Sequence, residues 1–452
     1  MAKLSIKNIG PLKEINIELN RVNVLIGPQS SGKSTVAKLI SFFNWLEKDC
    51  VLHQDIDRIN RQFLEEKFIS YYNLQGYFSS LSEIYYEGDT LIVKLRDLVE
   101  FSAGSIKVQK ADKFSKVELS KNAYIPSERN MLALPGIFSI KMPPNYLLEF
   151  IDDWQEIRQK YSGDTQLSLL NLGDTYFFNE KENVDKIILK DGKDISFSQA
   201  SSGLQSVTPL CVCIDYLTQW IYANEENRSA EERKRYRDMI HSIVTTDYQK
   251  LIADNFGEDV AKKLTENLTP DTVKTLNGNF EESLIDYVKI HGKLDLPLEY
   301  LYLFFLTDPK NRLQYRFTYP SATNLVVEEP EQNLFPETQV RLVYYILSKL
   351  EHRIERDSLV LTTHSPYILY ALNNCMMAAL ADDENRELVE QMTNVPKEAW
   401  INPKIVSVWE LDNGKIRENK TIQDNRGLIR GNYFDRIMRN VMADFNNIAN
   451  FI

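Results

Sequence analysis

Nine residues, Gly27-Pro28-Gln29-Ser30-Ser31-Gly32-Lys33-Ser34-Thr35, carry the spacing G-x-x-x-x-G-K-[ST]. Glycines let a backbone wrap closely around a phosphate, and successive N–H groups backed by a helix N-terminus supply donors and positive partial charge. At this spacing Lys33 has the reach for β- and γ-phosphates, and the Ser34 hydroxyl is placed for magnesium. A second group is Leu325-Val326-Val327-Glu328-Glu329-Pro330-Glu331, where carboxylates follow a buried-type strand. There Glu328 reads as the metal-side carboxylate and Glu329 as the candidate general base. A third, Thr362-Thr363-His364-Ser365-Pro366, ends a strand in a lone histidine, the place where open α/β sheets bind ligands. A fourth, Ser201-Ser202-Gly203-Leu204-Gln205, is a small-residue turn opening a helix, and so a second anion-binding terminus. Each has a bland counterpart: a chance turn, a solvated acidic loop, a structural histidine, an ordinary N-cap. Together they point to a nucleoside triphosphate held with magnesium.

The elements that must position these residues follow from hydrophobic period. Residues 3–26 read as two alternating strands around Pro11, then the short apolar run VNVLI of a buried strand. Val36, Leu39, Ile40, Phe43 and Leu46 at helical spacing place a helix directly after the glycine-rich loop. Residues 51–77 read as helical. Short alternating pieces between about 83 and 125 read as an antiparallel sheet, 145–161 as helix, and 175–198 as strands again. Leu204, Val207, Cys211, Ile214, Leu217 and Ile221 form the stripe of the helix opened at 201–203. The charge-rich stretch 225–315 reads as an inserted helical subdomain. Beyond it come the strand at Leu325-Val326-Val327, a helix from Pro336 with Val340, Val343, Leu347 and Leu350 inward, and a strand from Ser358 to Thr363.

With 53 Lys+Arg against 64 Asp+Glu the net charge is −11, so nucleic acid would need a local basic patch. The clusters Arg233, Lys234, Arg235, Arg237 and Arg426, Arg430, Arg436, Arg439 read as solvated faces, the first with Glu231 and Glu232 beside it. No apolar run approaches the roughly 18 residues that cross a bilayer, and the most apolar stretch, Met131 to Ile140, is broken by Pro135. The start MAKLSIKN lacks the apolar segment of a secretory signal. Four cysteines show no CxxC pairing. The expectation is a cytoplasmic, reduced protein without a membrane span.

In their order along the chain the four motifs resemble ABC-type ATPases, and specifically the SMC, RecF and OLD-like branch. LSIKNIGPLKEINIELNRVNVLIGPQSSGKST resembles its first strands and phosphate loop, VVEEPEQNLFPETQ its Walker B segment, and LTTHSPYIL its switch-histidine segment. The resemblance covers roughly 1–223 and 316–452. It implies an α/β fold, a P-loop ABC-type ATPase head with an antiparallel β subdomain and a helical insertion. The head's first part would be 1–223, the insertion 225–315 and the second part 316–452. It also implies that Gly27, Gln29, Ser30, Ser31, Gly32, Lys33, Ser34 and Thr35 bind ATP, that Ser34 and Glu328 hold Mg2+, and that Glu329 and His364 act in hydrolysis. Ser202 and Gly203 would cap the γ-phosphate of an opposite subunit, giving a head-to-head dimer around two ATP molecules. Three positions depart from the pattern. Glu328 stands where most members have Asp, and Phe335 where His or Asp is frequent. No clear Q-loop glutamine follows the phosphate loop, so Tyr124-Ile125-Pro126-Ser127-Glu128-Arg129 is the positional candidate.

Sequences of this organisation resemble ATPase subunits of bacterial anti-phage systems of the Septu and PARIS type, which control a nuclease or toxin effector encoded beside them. Only 88 residues follow His364, and Asp382-Asp383 is not the spaced carboxylate pair that two-metal chemistry needs, so no nuclease is expected in this chain. A RecF- or SMC-like DNA clamp predicts a basic surface and a long coiled coil, and the acidic charge and missing heptads weigh against it. A scaffold held together by ATP without hydrolysis is the third reading.

Overall fold

The computed structural model describes residues 2–53, 55–112, 114, 120–223 and 322–451. The expected helical insertion at 225–315 and the basic cluster at 233–237 therefore lie outside the described residues. The chain opens with β1 (Lys3–Ile9) and β2 (Leu12–Glu18), paired antiparallel from Lys3↔Glu18 to Ile9↔Leu12. β3 (Val22–Ile26) is buried at all five residues, as its unbroken apolar run requires, and leads through the glycine-rich loop into α1 (Lys33–His53). The expected stripe of α1 is inward: Val36, Leu39, Ile40, Phe43 and Leu46 are each at most 1% exposed.

The helical reading of 51–77 holds in part, with helix to His53 and again over 61–70 and a break between. Asp55 Oδ1 accepts the Asp57 N–H, and Asn60 caps a new short helix, α2 (Arg61–Leu64), which continues as a π-helical turn over Glu65–Ser70. Side chains that bond to their own backbone compete with helix, and here they win. Asn73 at φ 54° and Gly76 at φ 79° then end the segment.

β4 (Glu83–Glu87), β5 (Leu91–Arg96) and β6 (Ile106–Lys110) are antiparallel, whereas β7 (Ser120–Ile125) pairs in parallel with a strand 200 residues on. The stretch 83–125 is thus not one antiparallel sheet. Alternation reports a half-buried face but not which neighbour a strand takes. α3 (Tyr146–Ile157) and the separate four-stranded antiparallel sheet β8 (Leu167–Ser168), β9 (Thr175–Asn179), β10 (Val184–Ile188) and β11 (Asp194–Ser196) follow. α4 (Ser202–Asp215) continues through a π-helical turn and ends the first described half.

From residue 322 onward come β12 (Ala322–Glu328), α5 (Pro336–Leu350), β13 (Ser358–Thr363), α6 (Pro366–Ala379), α7 (Arg386–Met392), β14 (Val406–Asp412), β15 (Lys415–Ile416) and α8 (Tyr433–Ala449). The fold is α/β. One mixed sheet of eleven strands runs β6-β5-β4-β1-β2-β15-β14-β3-β13-β12-β7, and its segment from β14 to β7 is parallel throughout. These parallel strands are covered on both faces. Val24, Ile26, Val327 and Leu361 face a core shared with α3 to α6, while Leu25, Val326 and Val360 face a core shared with α1 and the antiparallel wing. Burial on both sides explains why they read as continuous apolar runs. Among the described residues no helix is long and apolar enough to cross a membrane.

Candidate nucleotide site at the carboxyl ends of the parallel strands

Sheet register brings three of the motifs to one edge. Thr363 pairs with Ile26, Thr362 with Glu328, and Val327 with Ile125. The loop after β3, the carboxylates after β12, His364 after β13 and the 126–129 segment after β7 therefore emerge side by side. This is where open α/β sheets place ligands.

The loop needs its glycines. Gly27 has φ 146°, and a Cβ there would lie 2.2 Å from the Leu411 carbonyl oxygen; Gly32 has φ 96°, and a Cβ would lie 2.2 Å from Cδ2 of buried Leu12. Gly32→Ala should accordingly lower stability by about 2–4 kcal/mol, summing unfavourable φ with overpacking. In a chain of 452 residues that corresponds to roughly 2–4 °C in a thermal melt, and an unchanged melting temperature would show that the loop relaxes freely.

Lys33 is 4% exposed, and its Nζ donates to the carbonyls of Gly27 (3.0 Å) and Pro28 (2.8 Å) and to Ser31 Oγ (3.4 Å). The loop curls around its own ammonium group. Burial lowers the Lys33 pKa to about 8, against the opposing charges of Glu329, Glu331 and Glu328. Gln29, Ser30 and Ser34 are exposed on the loop's outer side, whereas Ser31 and Thr35 are buried.

Glu328, the last residue of β12, is 3% exposed. Burial raises its pKa, while the Ser34 hydroxyl, Lys38 and the Tyr124 hydroxyl favour its charged form. Its Oε1 has no hydrogen-bond partner among the described residues. An orphaned carboxylate oxygen beside a serine hydroxyl is the hard-oxygen donor set a magnesium ion takes, so these residues fit Mg2+. The longer side chain of Glu relative to Asp does not remove it from the site.

Glu329 adopts φ 43°, a left-handed conformation costing a non-glycine residue of order 1–3 kcal/mol. Its N–H donates to the Thr362 carbonyl at 3.0 Å, and its Oε1 lies 3.3 Å from His364 Nε2. The His364 contact, stronger here than the opposing burial, holds the Glu329 pKa below the ordinary carboxylate value. The two proposed hydrolytic residues are therefore already in contact.

Two further residues were not singled out by the sequence as site residues. Glu331 Oε1 accepts the His364 N–H at 2.5 Å, and burial raises the pKa of its carboxyl. Arg129 is fully buried and donates to four main-chain carbonyls, including those of Glu328 and Glu329. The sequence offered the segment Tyr124–Arg129 as a positional candidate for the Q-loop but gave Arg129 no role of its own. The available signal was its position after a strand already suspected of bordering the site.

The turn at 201–203 is organised differently. Ser201 caps α4, its Oγ accepting the Leu204 N–H at 3.4 Å. Ser202 is exposed, and a Cβ on Gly203 would lie 3.1 Å from the Asn333 carbonyl oxygen, so the turn is packed on the loop after Glu331. Among the described residues no hydrogen bond joins Ser202 or Gly203 to the loop 27–35 of the same chain. Phe335 beside it is 82% exposed. Elsewhere, in the second basic cluster, Arg426 and Arg430 pair with Asp424, Arg436 pairs with buried Glu410, and Arg439 donates to the Asp435 carbonyl at 3.3 Å.

No family model matches the chain, and no curated protein matches it. Solved structures do. An SMC head domain from Thermotoga maritima shows 10% identity and a TM-score of 0.33, covering 82% of this chain and 90% of that one. The SMC head bound to the C-terminal winged-helix domain of ScpA gives 10% and 0.34 over the same shares. The dimeric structure of MJ0796, a bacterial ABC transporter cassette, gives 10% and 0.26 over 92% and 96%. Scores this low do not establish a shared family, so the functional reading rests on the site's own geometry.

Proposed function

We propose that this chain is an ATPase that binds ATP with Mg2+ at residues 27–35, hydrolyses it between two copies, and thereby regulates a partner effector. The observation that carries the reading is the convergence of a lysine-filled glycine loop, an orphaned buried carboxylate oxygen and a Glu329–His364 pair on one sheet edge. Lys33 would exchange its loop carbonyls for phosphate oxygens. Ser34 and Glu328 would hold the magnesium ion, which when bound supplies charge neutralisation across the phosphates. Glu329 would accept a proton from the attacking water. His364, now on Glu329, would turn to the γ-phosphate and release the carboxylate that it holds at low basicity.

Ser202 and Gly203 serve ATP only if a second copy brings them across its phosphate, which is the composite-site reading. Ser202→Arg should then leave nucleotide binding by isolated subunits nearly intact and abolish turnover, because a long side chain intrudes where the phosphate must approach. Mixing it with Lys33→Ala protein should restore part of the activity, since a mixed dimer keeps one of two sites intact. Turnover at the wild-type rate by Ser202→Arg alone would reduce the turn to a helix cap. The effector, a nuclease or toxin of anti-phage defence, is drawn from the resemblance of the motifs. Co-purification with the product of the adjacent reading frame tests it, and salt-dependent retardation of DNA by this chain alone would favour the clamp reading instead.

A further inference from the structure

The guanidinium of Arg129 joins three segments that are distant in sequence. Nε donates to the Ser206 carbonyl in the first turns of α4 (3.1 Å), and Nη1 to the carbonyls of Pro126 (3.2 Å) and Glu328 (2.8 Å). Nη2 donates to the Glu329 carbonyl at 2.7 Å. A planar fork of five N–H donors can span several acceptors at once, which a lysine cannot do. We propose that Arg129 is a positioning residue that ties the turn at 201–203 to the Glu328–Glu329 end of β12 within one subunit, so that a second copy closing on the turn is registered at the hydrolytic carboxylate. This rests on the ATPase reading above.

Several features favour coupling over mere packing. An arginine buried among carbonyls is an expensive way to fill space, and an apolar side chain of similar volume is often as good or better for stability. The Glu329 backbone is left-handed and is held from both sides, by Thr362 at its N–H and by Arg129 at its carbonyl. Loss of the second hold lets the peptide relax and takes the carboxylate away from His364. At the other end, Pro209 lies inside α4 and has no N–H for the Gln205 carbonyl, which weakens the first turns next to Ser206. Arg129 therefore braces a helix start that its own sequence loosens. A shift of the turn at 201–203 pulls on Ser206, and the rigid guanidinium carries the pull to Glu328 and Glu329.

The test compares Arg129→Met and Arg129→Lys with wild type for melting temperature, ATP affinity, kcat and KM. Both variants should bind ATP within about threefold of wild type, because residues 27–35 are untouched. Turnover should fall on the order of 10²-fold in Arg129→Met, as for a misplaced catalytic group, and by less in Arg129→Lys. A second readout is amide exchange in a Glu329→Gln background, where ATP should protect both 202–206 and 329–332. With Arg129→Met added, protection at 202–206 should remain and that at 329–332 should be lost. Wild-type kcat in both variants overturns the inference, as does a fall in ATP affinity parallel to kcat, or protection at the two segments that survives or vanishes together. If the Met variant does not fold, the Lys variant carries the same comparison. A wild-type protein that neither binds nor turns over ATP removes the ATPase reading, and the inference with it; normal wild-type turnover beside unaffected variants removes the inference alone.

Discussion

Glu329→Gln should bind ATP as wild type does and hydrolyse it 10²–10⁴-fold more slowly, the range expected when a general base is lost. The substitution is nearly isosteric, so the left-handed backbone at φ 43° and the contact with His364 Nε2 can both persist. Only the ability to accept a proton disappears. Because water attack is blocked after the copies have closed, ATP should hold the variant as a dimer, read by light scattering with and without nucleotide. The free carboxylate ionises below its ordinary value of 4.5. Between about pH 5 and 7 it is already charged, so kcat/KM should show no acid limb from this group there. Glu328→Gln provides the contrast, with a raised magnesium requirement before any loss of the proton acceptor. If Glu329→Gln turns over like wild type while Glu328→Gln is dead, the two carboxylate roles are reversed.

What could be read from the sequence was whatever is encoded locally. The strand Val22–Ile26, the glycine loop and the stripe of α1 lie within about thirty residues, and each is fixed by short-range rules of burial, φ preference and helical spacing. The same holds for Glu328, Glu329 and His364, which sit at the ends of strands whose apolar runs announce them. Pairing partners were not legible, because alternation alone cannot distinguish β7, in the parallel core, from β4 to β6, in the antiparallel wing. The helix expected at 51–77 is interrupted between His53 and Arg61 because the Asp55 and Asn60 side chains serve their own backbone, a competition that a hydrophobic stripe does not register. The individual roles of Arg129 and Glu331 were not legible for a related reason. Their importance lies in acceptors and donors supplied by segments far away in sequence, the Ser206, Glu328 and Glu329 carbonyls for one and the His364 N–H for the other.

Lys33→Ala should weaken ATP binding by roughly 10²–10³-fold, the equivalent of about 3–4 kcal/mol, in the range for removing one partner of a buried charge pair. Lys33 is 4% exposed, and three of its acceptors belong to the loop itself. In the nucleotide-free protein this cation therefore stabilises the loop, and on binding it is the loop's one side-chain cation for a triphosphate. Its lowered pKa adds a pH signature. Burial brings the free Lys33 to about pKa 8, so near pH 7 most of it is charged and near pH 9 most of it is neutral. Phosphate binding needs the charged form, which raises the pKa in the complex and couples binding to proton uptake above pH 8. Wild-type affinity should thus be nearly flat between about pH 7 and 7.5, then fall by about tenfold per unit beyond pH 8.5. The Lys33→Ala variant should be weak throughout and lack that alkaline limb, because the group that titrates is gone. Equilibrium titration with a fluorescent ATP analogue at several pH values measures both effects. Wild-type affinity in the variant would remove the loop as the phosphate site, and an alkaline limb that survives the substitution would assign the titration to another group.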